Sequence, residues 1–370
     1  MRVKLKDITK FSKGTQINGK NLIDDGAYSY LNGGINPSGK WNEFNVAENT
    51  VTISEGGNSS GYVNYMNDAF WCGAHCYYLY DGPKNSKYLY YALKSQQERL
   101  FRIRSGACMP NIKKSDLGNF IIEYEKDEVR QEEVVKVLEK CELLIEDYNK
   151  KLTLLDEAVR ARFVEMFGDP VINSCQFPVQ PMTDICDIID GDRGKNYPKS
   201  EEILDDGYCL FLNAKNVTQK GFDFENCNFI TREKDDALRN GKLSRGDVVL
   251  TTRGTVGNLA YYSKNVPYEN IRINSGMVIL RMNRSILNEI YFIELFKMKL
   301  SDIKEKIASG SAQPQLPIST MNKIILMIPP LELQNQFASF VQEIDKSRLR
   351  ELLAIKQTKL LLNDSWLLLY

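Results

Sequence analysis

The sequence predicts an α+β chain made by tandem duplication, with two mixed α/β domains that each end in a long helix. Two repeats carry this reading. Residues 22–32, LIDDGAYSYLN, return at 203–213 as ILDDGYCLFLN, and residues 105–122, SGACMPNIKKSDLGNFII, return at 309–326 as SGSAQPQLPISTMNKIIL. Both pairs align without a gap and each keeps five identities: Asp24, Asp25, Gly26, Leu31 and Asn32, then Ser105, Gly106, Pro110, Ser115 and Ile121. A third observation is that each copy closes with a stretch free of Gly and Pro, 119–167 and 331–370, which reads as one helix.

Within copy one, short strand-like runs (SYLN, TVTIS ending at Ile53 and Ser54, CYYLY at 76–80) are divided by turn residues. Copy two answers with CLFLN, DVVLTT and MVILRM, and a helical segment follows in each, YLYYALKSQ and YFIELFKMKL. The first long helix carries an apolar stripe on a charged rod: Val134, Val137, Leu138, Cys141, Leu144, Ile145, Tyr148, Leu152, Leu155 and Val159. In the second, Phe337, Phe340, Val341 and Ile344 begin a stripe that breaks at Arg348 and resumes at Leu349, Leu352 and Ile355. A rod of this kind, roughly 50 Å long, is stable only with its stripe buried. The economical partner is the other rod, packed antiparallel as a coiled coil with a pseudo-twofold axis relating the copies. Packing of each rod onto its own domain is the alternative. The expected limits are a first globular domain at 1–124, a central helix at 125–168, a second globular domain at 169–328 and a terminal helix at 329–370.

Size and composition agree: 370 residues with 43% hydrophobic content support two cored domains. MRVKLKDITKF lacks a signal-peptide core and no apolar run is long enough to span a bilayer, so a soluble, cytoplasmic protein is expected. Eight cysteines with no CxxC suggest neither a disulfide framework nor a zinc ribbon. Net charge is zero, but residues 1–122 carry 15 basic and 10 acidic side chains while 123–170 carry 8 and 14. A positive globular part held on a negative spacer suits a polyanion met at the globular ends; a solvated helix face is the plainer reading.

Catalytic signatures are missing. There is no GxxxxGK[ST] and no GxGxxG, and Pro329-Pro330 lacks the preceding Asn or Asp of amino-group methyltransferases. The sole histidine, His75, lies near Cys72 and Cys76, but copy two offers no matching set; it reads as a polar residue at a strand edge and no metal is expected.

Two loops recur in both copies and are polar where a connector need not be. The first is Glu55–Gly61 in copy one, with Asn58, Ser59 and Ser60, and Arg253–Asn258 in copy two, with Thr255. Glycines there let backbone N–H groups approach a phosphate or a base edge, and Arg253 can donate a bidentate pair to guanine. The second holds Ser105 and Asn111 in copy one and Ser309, Ser311, Gln313 and Gln315 in copy two. Gln and Asn suit adenine N6 and N7. With Lys215, these are the candidate DNA contacts. A shared structural role for recurring glycine-rich turns is the alternative.

Three segments resemble the specificity subunit of Type I restriction-modification systems. Phe163–Pro170, FVEMFGDP, is similar to the family's Met-Phe-Gly-Asp exit into its second target-recognition domain. Ser309, Gly310, Ser311, Gln313 and Gln315, followed by Leu316, Ile318 and Ser319, resemble its SGxxQ-then-Leu/Ile-Ser segment, and Ile328–Gln334, IPPLELQ, its Pro-Pro-Leu-Glu-Glu-Gln helix start. The likeness covers essentially the whole chain. Departures are Leu333 in place of the second Glu, Tyr124–Asp127 where copy one has lost Pro-Pro-Leu, and Met109 in place of Gln.

The resemblance implies a non-catalytic DNA reader whose two target-recognition domains each contact half of a bipartite, asymmetric double-stranded site. The paired helices would set the spacing and bind two modification subunits, which methylate adenine with S-adenosylmethionine. Restriction subunits using ATP and Mg would join that complex. The helix residues implicated in pairing and partner binding are Val134, Leu138, Cys141, Leu144, Ile145, Tyr148, Leu152, Leu155, Phe337, Phe340, Val341, Ile344, Leu352 and Ile355. An adaptor holding two protein-binding domains, with no nucleic acid, is the competing class.

Overall fold

The computed structural model describes residues 1–106, 109–308 and 315–367. The chain divides into two compact units, Met1–Lys150 with Glu351–Tyr370, and Lys151–Arg350.

In the first unit, strands β1 (Arg2–Lys4), β2 (Lys10–Lys13), β3 (Tyr28–Leu31), β4 (Gly39–Trp41), β5 (Thr50–Ser54), β6 (Val63–Met66), β7 (Phe70–Cys72) and β8 (Cys76–Tyr80) precede helices α1 (Ser86–Lys94), α2 (Gln97–Arg102) and α3 (Lys114–Gly118) and strand β9 (Ile121–Glu123). A four-stranded antiparallel sheet has the order β2-β8-β5-β6, and a three-stranded sheet the order β4-β3-β7 with β3 parallel to β7. β5 is rich in β-branched residues; its Val51 and Ile53 share a core with Leu89, Ala92 and Leu93 of α1. The α1 start is fixed by Asn85, whose Oδ1 accepts from the Tyr88 N–H at 2.9 Å.

The second unit repeats this plan. Its elements are β10 (Val179–Pro181), α5 (Met182–Ile185), β11 (Cys186–Asp190), β12 (Cys209–Leu212), a small hairpin β13 (Val217–Thr218) and β14 (Gly221–Phe222), β15 (Phe229–Ile230), α6 (Arg232–Ala237), β16 (Val248–Thr251), β17 (Leu259–Tyr261), β18 (Ile271–Ile273), β19 (Met277–Met282), α7 (Glu289–Ala308), α8 (Ile318–Met321) and β20 (Ile325–Met327). The sheet orders β11-β19-β16-β17 and β15-β12-β18, with β12 parallel to β18, match the first unit strand for strand. Asn288 caps α7 as Asn85 caps α1, accepting from Ile290 N–H at 2.9 Å.

Two long helices, α4 (Glu128–Phe167) and α9 (Leu331–Leu367), complete the chain. The expected helix over 119–167 starts late. Residues 121–123 form β9, which pairs antiparallel with β1, so freedom from Gly and Pro permitted a helix there without requiring one. In the second unit α4 and α9 run antiparallel: Phe163 and Phe167 meet Phe337 at ring-centroid distances of 5.4 and 5.6 Å, and Asp156 pairs with Arg348 at 2.5 Å. Val341 lies buried in the same core. In the first unit Val134, Val135 and Leu138 are buried, with Leu362 packed against their core.

The expected stripe holds on α4 apart from two residues, and on α9 it departs after Ile344. On α4 the covered line runs Val134, Leu138, Cys141, Ile145, Tyr148, Leu152, Leu155, Val159 and Phe163, while Val137 and Leu144 are exposed. On α9 it runs through Arg348 instead of breaking there, and Leu349 and Leu352 face outward, 58% and 47% exposed. The sum of three- and four-residue steps selects the line, and a leucine one position away falls about 100° off it.

A buried glutamine anchors each long helix to its unit. Gln131 Nε2 donates to Glu125 O at 2.6 Å and Tyr124 Oη at 3.0 Å. Gln334, fully buried, donates to Pro329 O at 2.8 Å and Ile286 O at 3.0 Å, and its Oε1 accepts from the Asn288 N–H at 2.8 Å. The loss of Pro-Pro-Leu in copy one therefore leaves this anchor in place.

One buried ionic cluster stands out in the second unit. Asp235, with no exposed side-chain surface, accepts from Lys242 and Arg272, and Arg272 also donates to Asp235 O at 2.7 Å and Asn240 O at 2.8 Å. Burial alone would raise the Asp235 carboxyl, but hydrogen bonds from Lys242 and Arg272 outweigh it and leave its pKa below the ordinary 3.8. Arg272→Ala should destabilise the protein by about 3–5 kcal/mol at neutral pH, read by chemical denaturation. Because the folded carboxyl has a depressed pKa, its stabilisation is present above 3.8 and lost as pH falls through the folded value; the difference between parent and variant should shrink there.

Candidate DNA-reading loops

β5 and β16 occupy the centres of their sheets and deliver the first recurring loop from equivalent strand ends. In the first unit Glu55 N–H donates to His75 O at 2.8 Å, and Gly61 N–H returns to Ser54 O at 2.7 Å, closing the loop. The second recurring loop is stitched to it: Ile112 N–H donates to Glu55 O at 2.9 Å and Gly57 N–H to Pro110 O at 2.9 Å, which sets Gly56 opposite Asn111. The second unit makes the same stitch. Leu316 N–H donates to Thr252 O at 3.1 Å, Thr252 N–H to Gly276 O at 2.9 Å and Gly257 N–H to Thr251 O at 2.8 Å, which sets Arg253 opposite Gln315. Buried Ile112 and Leu316 hold the stitch from below. Gly57, Gly61, Gly254 and Gly257 all have positive φ, between 72° and 87°, and at Gly61 a Cβ would also crowd Leu100 O at 3.1 Å.

The sequence candidates separate on this frame. Asn58, Asn111, Lys215, Arg253, Thr255 and Gln315 are exposed at the loop tips or beside them. Arg253 has no side-chain partner among the described residues. Ser105 is half-buried, its Oγ donating to Asn111 Oδ1 at 3.0 Å, and Ser59 Oγ donates to Gly33 O at 2.6 Å. Ser60 is buried, with its Oγ donating to Glu55 O at 2.8 Å, so it holds the loop and cannot reach a duplex. Ser309, Ser311 and Gln313 lie outside the described residues. Asn258 Nδ2 donates to Val217 O at 2.9 Å, tying the segment two residues beyond Lys215 to the second loop.

The two tips differ in charge. Glu55 is neutralised by Lys13 at 2.7 Å and approached by His75 Nδ1 at 3.4 Å, whereas the second tip presents Arg253. A third segment joins the second site unheralded: exposed Arg193 donates to Ser275 O at 3.2 Å beside Gly276, and exposed Lys195 follows. The signal was Gly191-Asp192-Arg193-Gly194-Lys195, basic residues between glycines just after a strand. Asp192 shapes that turn; hydrogen bonds from the Gly194 and Arg239 N–H groups hold its carboxyl below the usual range. Cys72 and Cys76 are buried while His75 is exposed, and no group of three His, Cys, Asp or Glu able to hold a metal occurs among the described residues. No helix among them is long and apolar enough to cross a membrane.

The family profile for the Type I restriction modification DNA specificity domain matches residues 1–155 and 177–358. The chain belongs to that family. It is a DNA-recognition chain of a type I restriction-modification system, and the two profile matches coincide with the two copies of the duplication. Among relatives, a Mycoplasma genitalium protein named as a type I specificity subunit is 28% identical over 94% of this chain and 89% of its own. A Mycoplasma pneumoniae protein of the same name is 26% identical over 93% and 88%. The crystal structure of a type I S subunit from M. genitalium superposes with a TM-score of 0.61 at 21% identity, covering 99% of this chain and 94% of that one. That likeness gives the specificity-subunit fold to the chain.

Ser60→Ala should cost about 1 kcal/mol in stability, measured by denaturation, without altering which DNA sequence is preferred, since the hydroxyl serves Glu55 O alone.

Proposed function

We propose that each unit reads one half of a bipartite, asymmetric double-stranded DNA site through its stitched loop tip, with Asn58 and Asn111 among the readers in the first unit and Arg253, Thr255, Gln315 and Lys215 in the second. The observation that carries this is the repeated main-chain stitch. It brings polar side chains from two distant segments to one exposed tip in each copy, on frames that match while the side chains differ. Matching frames suit one kind of ligand, and differing side chains suit two different half-sites. An adaptor without nucleic acid gives no reason for exposed Arg253 and Gln315 to face each other across a rigid bridge.

The chain acts without catalytic machinery of its own. Paired α4 and α9 set the spacing between half-sites, and their outward leucines, Leu144, Leu349 and Leu352 among them, dock two modification subunits that supply S-adenosylmethionine-dependent adenine methylation. Restriction subunits using ATP and Mg join that assembly, in the cytoplasm.

Two tests bear on this reading. Arg253→Ala and Gln315→Ala should each weaken binding of the methylation complex by about 1–3 kcal/mol, with relaxed preference at one half-site only, measured by binding to a panel of substituted duplexes. Equal relaxation at both half-sites would defeat the assignment. Inserting two whole heptads, one in α4 and a matching one in α9, should lengthen the preferred gap between half-sites, read by methylome sequencing; a folded variant with an unaltered gap would show that the helices do not set it.

A further inference from the structure

Residues 98–117 carry five basic and two acidic side chains, and the structure spreads the basic ones beside the first unit's loop tip. Arg104 fixes the near end: its Nη1 donates to Asn58 O at 3.3 Å and its Nε to Phe101 O at 2.7 Å, so the end of α2 is tied to the reading loop itself. From there Arg102 and Arg99 step back along α2 and border a shallow cleft with Phe120, Asn119 and Asp116. Arg99 lies over the Phe120 ring at 5.2 Å, its Nη1 donates to Gln96 Oε1 at 2.6 Å and the side chain is otherwise exposed, and Arg102 has no side-chain partner among the described residues. Lys113 and Lys114 are exposed two and three residues after Asn111, at the start of α3. Against these stand exposed Glu98 and Asp116; Asp116 Oδ1 accepts from Ser115 Oγ at 3.3 Å.

We infer that Arg99, Arg102, Lys113 and Lys114 form a strip that contacts phosphate oxygens of the duplex flanking the half-site read by the first unit. The inference rests on the reading of that unit as a half-site reader. A tip that reads base edges needs its register on the duplex fixed from outside the groove, and guanidinium and ammonium groups on phosphates do this without carrying sequence information. The strip starts at the tip, is held to it by Arg104, and is exposed along its length. These are properties of a clamp on the sugar-phosphate backbone.

The test is the salt dependence of duplex binding by the assembled methylation complex carrying R99A/R102A, on the preferred duplex and on one with the first half-site scrambled. Each lost phosphate contact lowers the slope of log affinity against log salt by about 0.9, so the double variant should lose about 1.8, with equal fold-loss on both duplexes and sequence preference retained. R99K/R102K should restore most of the slope. A parent-like slope in a folded R99A/R102A complex that keeps its preference overturns the strip alone, and so does a loss confined to the preferred duplex. A parent complex that binds both duplexes alike overturns the half-site reading and the strip with it.

Discussion

Both polar loop pairs are joined by one main-chain hydrogen bond that recurs in each unit, reinforced in the first by the bond from Gly57 N–H to Pro110 O. The carbonyl just past the central strand, Glu55 O or Thr252 O, accepts from the N–H of a residue more than fifty positions later, Ile112 or Leu316. With it the two polar loops share one exposed edge, and the apolar side chain of the donor residue seals that edge to the core. A backbone bond anchored by a buried aliphatic group is less easily displaced by water than one at an open tip.

Much of this plan was legible because it is written in periodicity and punctuation. SYLN, TVTIS and CYYLY announced β3, β5 and β8, and their counterparts announced β12, β16 and β19, because buried β-branched and aromatic runs bounded by turn residues have few other uses. The recurrence of the SG segment pointed to Asn111 and Gln315, which the stitch leaves exposed, but the sequence could not show that Ser60 turns inward, since a serine after glycines serves equally as a latch or a reader. The long-helix stripes depart from the expected line at a few leucines for a related reason. Leu144, Leu349 and Leu352 have the right chemistry for a buried seam, and only the geometry of the partner helix decides that Ile145, which the expected stripe also held, stays on the covered line while Arg348 and Glu351 take the places of Leu349 and Leu352. The glutamine anchors went unseen because Gln131 and Gln334 look like ordinary polar residues in the first turns of charged helices. Their burial follows from tertiary packing that no local pattern encodes.

The two copies share a frame and diverge in what the frame presents. A carboxylate already satisfied by Lys13 sits under the first tip, while a guanidinium with no partner among the described residues stands on the second, with Arg193 and Lys195 nearby. Divergence is concentrated where the stitch leaves side chains free and is small where main-chain bonds and buried aliphatics set the geometry. That division fits a chain whose halves must address different sequences in the same way.

The contact between Arg348 and Asp156 has a further bearing on the helix pair. A seam made only of aliphatic and aromatic rungs can slide by a turn and still match apolar to apolar. A guanidinium among those rungs, bonded to Asp156 on α4 and to Asp345 on its own helix, would lose its cross-helix partner in such a slide and disfavours it. One polar rung in an otherwise apolar seam therefore favours a single seating of the two helices in the second unit.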